Sequence, residues 1–324
     1  MLETNSPENP SRRKASTQAR FPTLPVIALC IACAGWGLGF PVIKWGQAAV
    51  SSEVPGAGAA SITAGYTAVR FLLASLLYAL LVIPHLRGFS RQELLGGAVV
   101  GSTFSVGLFL QLWGLQFTTP SAAAFLTSLV VVFTPIAQAV IQRRSPSRRT
   151  WLAVGIALVG IYILTNPSGG GFGFGELLNL LSALAFTGQI LTLDHYGRGS
   201  DPRRLTTSMF ITTALLNLVC FTFLMGSMST WAAGTAAVAG NWTVQWTMAV
   251  TVVACTLIAF GLMNKYQPKI APASAALIYC MEPVFASLFS VMLGAEPFTA
   301  RLFLGGAVIL AADALDLTGR ADRK

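Results

Sequence analysis

The 324-residue chain is 54% hydrophobic and only 10% charged, with a mean hydropathy of +0.67. Soluble domains carry roughly 25% charged residues, so this composition excludes a water-soluble globular protein, along with disorder, collagen and a disulfide-stapled scaffold. The net charge of +9 is dispersed over short loops and not gathered in a soluble patch. That argues against nucleic acid as a partner and for the anionic face of a lipid bilayer.

The apolar residues fall in runs of about 20, the length an α-helix needs to cross roughly 30 Å of hydrocarbon. In chain order the predicted spans are 24–46, 62–84, 93–117, 121–142 and 150–165, then 175–194, 205–226, 242–264, 271–293 and 298–317. Runs such as 69–83 do not alternate apolar with polar residues, as strands of a membrane barrel would. The fold class expected is an all-α polytopic membrane protein of ten transmembrane helices. Residues 1–23, rich in Ser, Pro, Asn and Arg, read as a disordered cytoplasmic tail. Residues 24–165 form a first five-helix unit, 166–174 a Gly- and Pro-rich linker, 175–317 a second five-helix unit and 318–324 a short cytoplasmic tail.

Lys and Arg in short loops stay on the cytoplasmic side. With the N-terminus inside, only Arg301 of the 21 basic residues falls outside, while Lys44 and Arg70 lie within spans. Both termini are therefore expected in the cytoplasm, and the protein in the inner (plasma) membrane.

The two units share a pattern. Pro120-Ser121-Ala122-Ala123-Ala124-Phe125-Leu126 lies over Pro272-Ala273-Ser274-Ala275-Ala276-Leu277-Ile278, Pro146 over Pro297 and Gly155 over Gly306. Five spans per copy is an odd number, so a second copy enters the membrane from the opposite side and the repeat is inverted. Pro41, Pro135 and Pro283 lie inside spans and are expected to break their helices.

At this point the chain resembles the drug/metabolite transporter superfamily, in its ten-helix EamA-type branch. The resemblance runs from about residue 24 to 317. It is carried by Trp36-Gly37, Phe40-Pro41 and Lys44, by Arg70-Phe71 with Ala74, and by Ala124-Phe125-Leu126, Pro135, Gly155 and Gly160. In the second half it is carried by Gly175-Glu176-Leu177, Ala183, Glu282-Pro283, Gly294, Glu296 and Gly305-Gly306. Ala295 separates a glycine and an acid that are usually adjacent in the family. The resemblance implies a carrier of small organic solutes, often outward, with a central cavity lined mainly by helices one to four and six to nine. Amino acids and related metabolites are the typical cargo. Nucleotide sugars, drugs or lipid-linked sugars are alternatives, and a passive channel or a membrane-embedded enzyme fits less well.

Polar groups inside spans are the candidates for the pathway. An ionised carboxylate at mid-membrane costs about 2.5–3.5 kcal/mol on insertion scales, so Glu282, near the middle of the ninth span, needs a polar cavity, a cation or a proton. Arg70 is expected at a similar depth, about 12 Å against about 16 Å from the outer helix ends at 1.5 Å per residue. That makes an Arg70–Glu282 pair a candidate gate, with snorkelling of Arg70 as the alternative. Trp36, Phe40, Gln111, Gln189 and Tyr279 offer amides and amphipathic aromatics suited to a solute of mixed polarity. Trp113, Gln116 and Asn217 belong to the same chemical group, but Gln111 and Gln116 do not share a helix face, so at most one of them lines a cavity.

Other motifs are set aside. Cys30-Ile31-Ala32-Cys33 sits inside a span without further ligands, and His85 and His195 belong to no metal pair. Gly97 and Gly101 read as a helix-packing pair. No catalytic constellation, cofactor site or metal site is expected. The partners anticipated are a small-molecule substrate and the bilayer, with a homodimer left open.

Overall fold

The computed structural model of the chain describes residues 23–118, 120–141, 143, 145–165, 172–294 and 297–321. The expected tail at 1–23 (apart from Thr23), residues 166–171 of the linker, Ala295, Glu296 and residues 322–324 lie outside it.

Among the described residues every regular element is helical. The first half comprises α1 (Thr23–Glu53), α2 (Ala59–Val82), α3 (Arg91–Gly114), α4 (Pro120–Ser128), α5 (Val130–Ile141) and α6 (Arg148–Thr165). The second comprises α7 (Phe174–Gly197), α8 (Pro202–Leu224), α9 (Met228–Gly240), α10 (Trp242–Val252), α11 (Ala259–Tyr266), α12 (Pro272–Tyr279), α13 (Met281–Met292) and α14 (Ala300–Ala321). A π-helical turn, Val253–Ile258, joins α10 to α11 without interrupting the rod. Among the described residues eight helical segments are long and apolar enough to cross a membrane: α1, α2, α3, α4 with α5, α7, α8, α10 through α11, and α12 with α13. The chain is an all-α polytopic membrane protein. The two other long helices, α6 and α14, pack along each other.

Three local features depart from expectation. α1 runs through Pro41 without a break; the ring removes one backbone bond and pushes on the carbonyl four residues back, which bends a helix without having to end it. The interruptions that do occur fall at Leu129 and Cys280, ahead of Pro135 and Pro283. Pro283 is the third residue of α13, where a missing N–H loses no intrahelical partner. The third departure is α9, in a stretch expected to be loop. Its Ala-rich sequence favours helix, and Trp231 holds its start by packing edge to face against Phe221 at 4.8 Å and donating its indole N–H to Met225 O at 3.1 Å.

Small residues let the helices approach. A Cβ at Gly97 would lie 2.4 Å from Ser208 Cβ, and one at Gly101 would lie 2.8 Å from Met209 O, so this pair lets α3 close onto α8. Gly37 does the same for α1 on α13, with Ala286 N and Phe285 Cβ each 2.7 Å from where its Cβ would be. At one end of the bundle Arg204 of α8 donates to the carbonyls of His85 (2.8 Å), Arg87 (2.7 Å) and Gly88 (2.9 Å) and pairs with Glu93 at 3.4 Å. Glu93 caps its own helix by accepting from Ser90 N (2.7 Å) and reaches across to accept from Asp201 N (3.0 Å). One charged cluster thus joins α2, α3 and α8.

Candidate functional site

A central cavity lies where seven of the spans face one another. It holds about 860 Å³ of space not occupied by protein atoms, part of it open to solvent, within the range that accommodates small organic ligands. Each wall follows from helical spacing. On α1, Trp36, Phe40 and Ile43 stand at i, i+4 and i+7, and on α3 the same spacing places Phe104, Leu108 and Gln111. On α7, Phe186, Gln189 and Ile190 share one face.

All seven residues singled out from the sequence line this cavity: Trp36, Phe40, Arg70, Gln111, Gln189, Tyr279 and Glu282, with Pro283 beside them. Pro41 and Pro135 are buried elsewhere. Gln116 is turned away, donating to Ala59 O (2.8 Å) and to Thr63 Oγ1. Asn217 ties α8 to α3 through Ser105 Oγ at 2.8 Å, and Trp113 packs edge-on against Phe174 at 5.3 Å. Lys44 is exposed. α8, the seventh expected span, contributes no lining residue, because it is held behind α2 and α3.

The walls are largely aromatic. Phe104 meets Phe260 edge to face at 4.6 Å, and Trp36 contacts Phe260 at 5.2 Å and Tyr279 at 5.4 Å. Phe104, Phe186 and Phe260 were not anticipated. A phenylalanine in an apolar span carries no polar mismatch to draw attention, although the spacing of Phe104 from Gln111 already placed it on the same face. The polar groups are held individually. Gln111 donates to Thr127 Oγ1 (3.3 Å), Gln189 to Met263 Sδ (3.5 Å), and Tyr279 to Gln267 Oε1 (2.6 Å), which in turn donates from Nε2 to Ile190 O (3.0 Å). The indole N–H of Trp36 is buried with no partner.

Arg70 and Glu282 are the charged members, and they do not pair with each other. Arg70 is 2% exposed and is received by the π turn: Nε donates to Thr256 Oγ1 at 2.7 Å and Nη2 to Cys255 O at 3.1 Å. Thr256 is itself fixed by donating to Thr251 O, five residues back, at 2.8 Å. π turns of this kind recur at functional sites in helices. A guanidinium has five N–H groups, so three remain for the cavity. Glu282, in the first turn of α13, is partly accessible from the cavity. Among the described residues no carboxylate pairs with Arg70 and no cation pairs with Glu282.

A multi-span helical bundle around a largely apolar cavity with a few fixed polar groups is the architecture of a membrane transporter. The chain belongs to the EamA-like transporter family, whose pattern matches twice, at residues 23–166 and at 173–315. It is 31% identical over 286 residues to a protein of Archaeoglobus fulgidus described as an uncharacterized transporter, a match covering 88% of this chain and 83% of that one. It also shares its fold with a protein of known crystal structure, at a TM-score of 0.61 and 17% identity, over 90% of this chain and 98% of the other.

Proposed function

We propose that the protein is a secondary transporter that exports amino acids or related metabolites by alternating access. The observation that carries this reading is a guanidinium and a carboxyl group, neither with an ion-pair partner among the described residues, on one aromatic cavity. A buried charge without a partner is costly. A zwitterion supplies both partners at once: its carboxylate meets the free N–H groups of Arg70, its ammonium meets Glu282, and its side chain lies against Phe104, Phe186 and Phe260. A solute with a single charge leaves one end of the site unsatisfied, and a neutral sugar leaves both.

Alternating access is supported by how the two halves correspond. Ser128 and Cys280 occupy equivalent positions, eight residues beyond Pro120 and Pro272, and each donates to the carbonyl four residues back, at 2.7 Å and 3.5 Å. Each is at or one residue before the interruption in its span. Neighbours exchange in the same way. α1 packs on α13 and on the α10–α11 rod, while α7 packs on α4, α5 and α3; α2 pairs with α8 and α6 with α14. This correspondence supports a reading of the chain as two inverted five-helix repeats, 24–165 and 175–317, with α6 and α14 as the fifth and tenth spans. Both termini then lie in the cytoplasm and the protein in the inner membrane.

The test is counterflow. Proteoliposomes preloaded with a mixture of unlabelled amino acids are probed with one labelled amino acid at a time. Transient accumulation of a label identifies the cargo and establishes a carrier. No accumulation of any amino acid, with the protein shown to be inserted, would overturn the assignment and move the search to sugars, nucleotides and drugs.

A further inference from the structure

The polar side chains on the cavity wall are not held alike. Gln111, Ser128 and Tyr279 each donate to an oxygen, of Thr127 (3.3 Å), Ala124 (2.7 Å) and Gln267 (2.6 Å) respectively. Gln189 of α7 donates only to the sulfur of Met263, at 3.5 Å, although it is just 4% exposed. A thioether is a weak acceptor, and a primary amide carries two N–H donors and a carbonyl with two lone pairs. Among the described residues no donor reaches Gln189 Oε1, which is open to the cavity. The contact with Met263 also fixes which end of the amide is free. Turned over, the amide would set its carbonyl oxygen against the sulfur with no hydrogen between them.

Helical spacing places this carbonyl at the end of the aromatic slot. Gln189 stands three residues beyond Phe186 on α7, and Met263 three beyond Phe260 on α11, one turn on in each case. Phe104 contacts both rings, Phe260 at 4.6 Å and Phe186 at 6.1 Å. α3 and α7 run antiparallel, since the Cβ positions of Gly96 and Gly107 meet Tyr196 and Phe186. Thr103 lies 3.7 Å from the Cβ position of Gly188, which sets Gln189 level with Phe104. Gln111 is about 10 Å further along α3 at 1.5 Å per residue, outside the slot. The slot thus has apolar walls and, at its end, an acceptor lacking a hydrogen.

We propose that Gln189 is the specificity-determining residue of the carrier: its carbonyl accepts a hydrogen bond from the tip of the cargo's side chain. The inference rests on the transporter reading above and narrows its cargo. With the carboxylate on Arg70 and the ammonium at Glu282, the side chain lies along Phe104, Phe186 and Phe260 and ends at Gln189. The class selected is an amino acid whose side chain has an apolar body and a terminal O–H or N–H. An apolar isostere fills the same slot but strips water from the carbonyl and returns nothing, and a desolvated acceptor left unpaired is costly. A side chain tipped with a carboxylate sets one acceptor against another and is rejected.

Tyrosine and phenylalanine differ by one hydroxyl and are the probes. Each competes, unlabelled, against counterflow of a labelled amino acid that the carrier accepts. Wild type is half-inhibited by tyrosine at a concentration at least about tenfold below that of phenylalanine, the ratio expected for one buried hydrogen bond made or left open. Gln189→Met keeps the length and unbranched shape without the carbonyl, and its ratio falls to about one or inverts. Wild type that shows no preference for tyrosine, or competition from neither probe, overturns the proposal; that arm needs no variant to fold. So does a Gln189→Met that weakens both probes alike and keeps the ratio. Loss of the ratio in Gln111→Met, with Gln189→Met keeping it, moves the contact to the other end of the cavity and overturns the proposal too. Amino-acid counterflow without this discrimination sinks the inference alone, whereas absence of counterflow with every amino acid sinks the amino-acid reading and the inference with it.

Discussion

Arg70 commits two of its N–H groups to the π turn and turns the rest toward the cavity, so its fork is held in place before any solute arrives. Lysine keeps the charge but not the fork. Arg70→Lys is therefore expected to retain weak transport and Arg70→Leu to lose it. Removing one partner of a desolvated charge pair costs about 2–5 kcal/mol, so half-saturation by the labelled solute should shift by at least about thirtyfold in Arg70→Leu. Glu282→Gln removes the negative end, and we expect it to abolish transport of a zwitterion or erase its dependence on pH. Unchanged transport with unchanged pH dependence would take Glu282 out of the mechanism. Both residues were legible in the sequence for one reason: an ionisable group in a hydrocarbon-length run must have a special environment. What it pairs with was not legible. Depth along two helices allowed an Arg70–Glu282 contact, but the rotation of α2 relative to the α10–α11 rod, which decides that Arg70 meets Thr256, leaves no trace in local sequence.

At the level of single elements, the glycines separate into those that a neighbour presses on and those that none does. Gly37 has backbone of α13 where a Cβ would go, and backbone cannot swing aside. Gly37→Ala is expected to destabilise the protein by about 1–3 kcal/mol, seen as a lower melting temperature in detergent. Gly155, on α6, has nothing within 4 Å of its would-be Cβ. Gly155→Ala should leave the melting temperature unchanged or raise it, since alanine is favoured over glycine in a helix by up to about 1 kcal/mol. Equal losses in the two variants would mean that helix propensity, and not the α1–α13 contact, sets stability here. Helix existence was readable from apolar run length, and the GxxxG pair on α3 from spacing alone. The interruptions at Leu129 and Cys280 were not, because proline marks where a backbone bond is missing and the chain relaxes several residues before it. α9 was missed because an Ala- and Gly-rich stretch lacks the hydropathy of a span and the periodicity of an amphipathic helix.

For the whole molecule, the distribution of Lys and Arg makes a claim about sidedness that labelling can check. In right-side-out vesicles, with the native cysteines replaced, a cysteine at Arg301 should react with a membrane-impermeant thiol reagent and one at Lys265 should not. The reverse pattern would invert the proposed orientation. Not every basic loop residue serves only to set sidedness, however. Arg204 is bound to the carbonyls of His85, Arg87 and Gly88 and to Glu93, which also holds the start of α8. With the α3–α8 seam closed by Gly97 and Gly101, α2, α3 and α8 are fastened at one end and along one flank. Paired spin labels at Arg87, between α2 and α3, and at Arg203, in the first turn of α8, would then keep a constant separation whichever way the carrier faces, giving an internal ruler against which every other distance in the moving protein can be read.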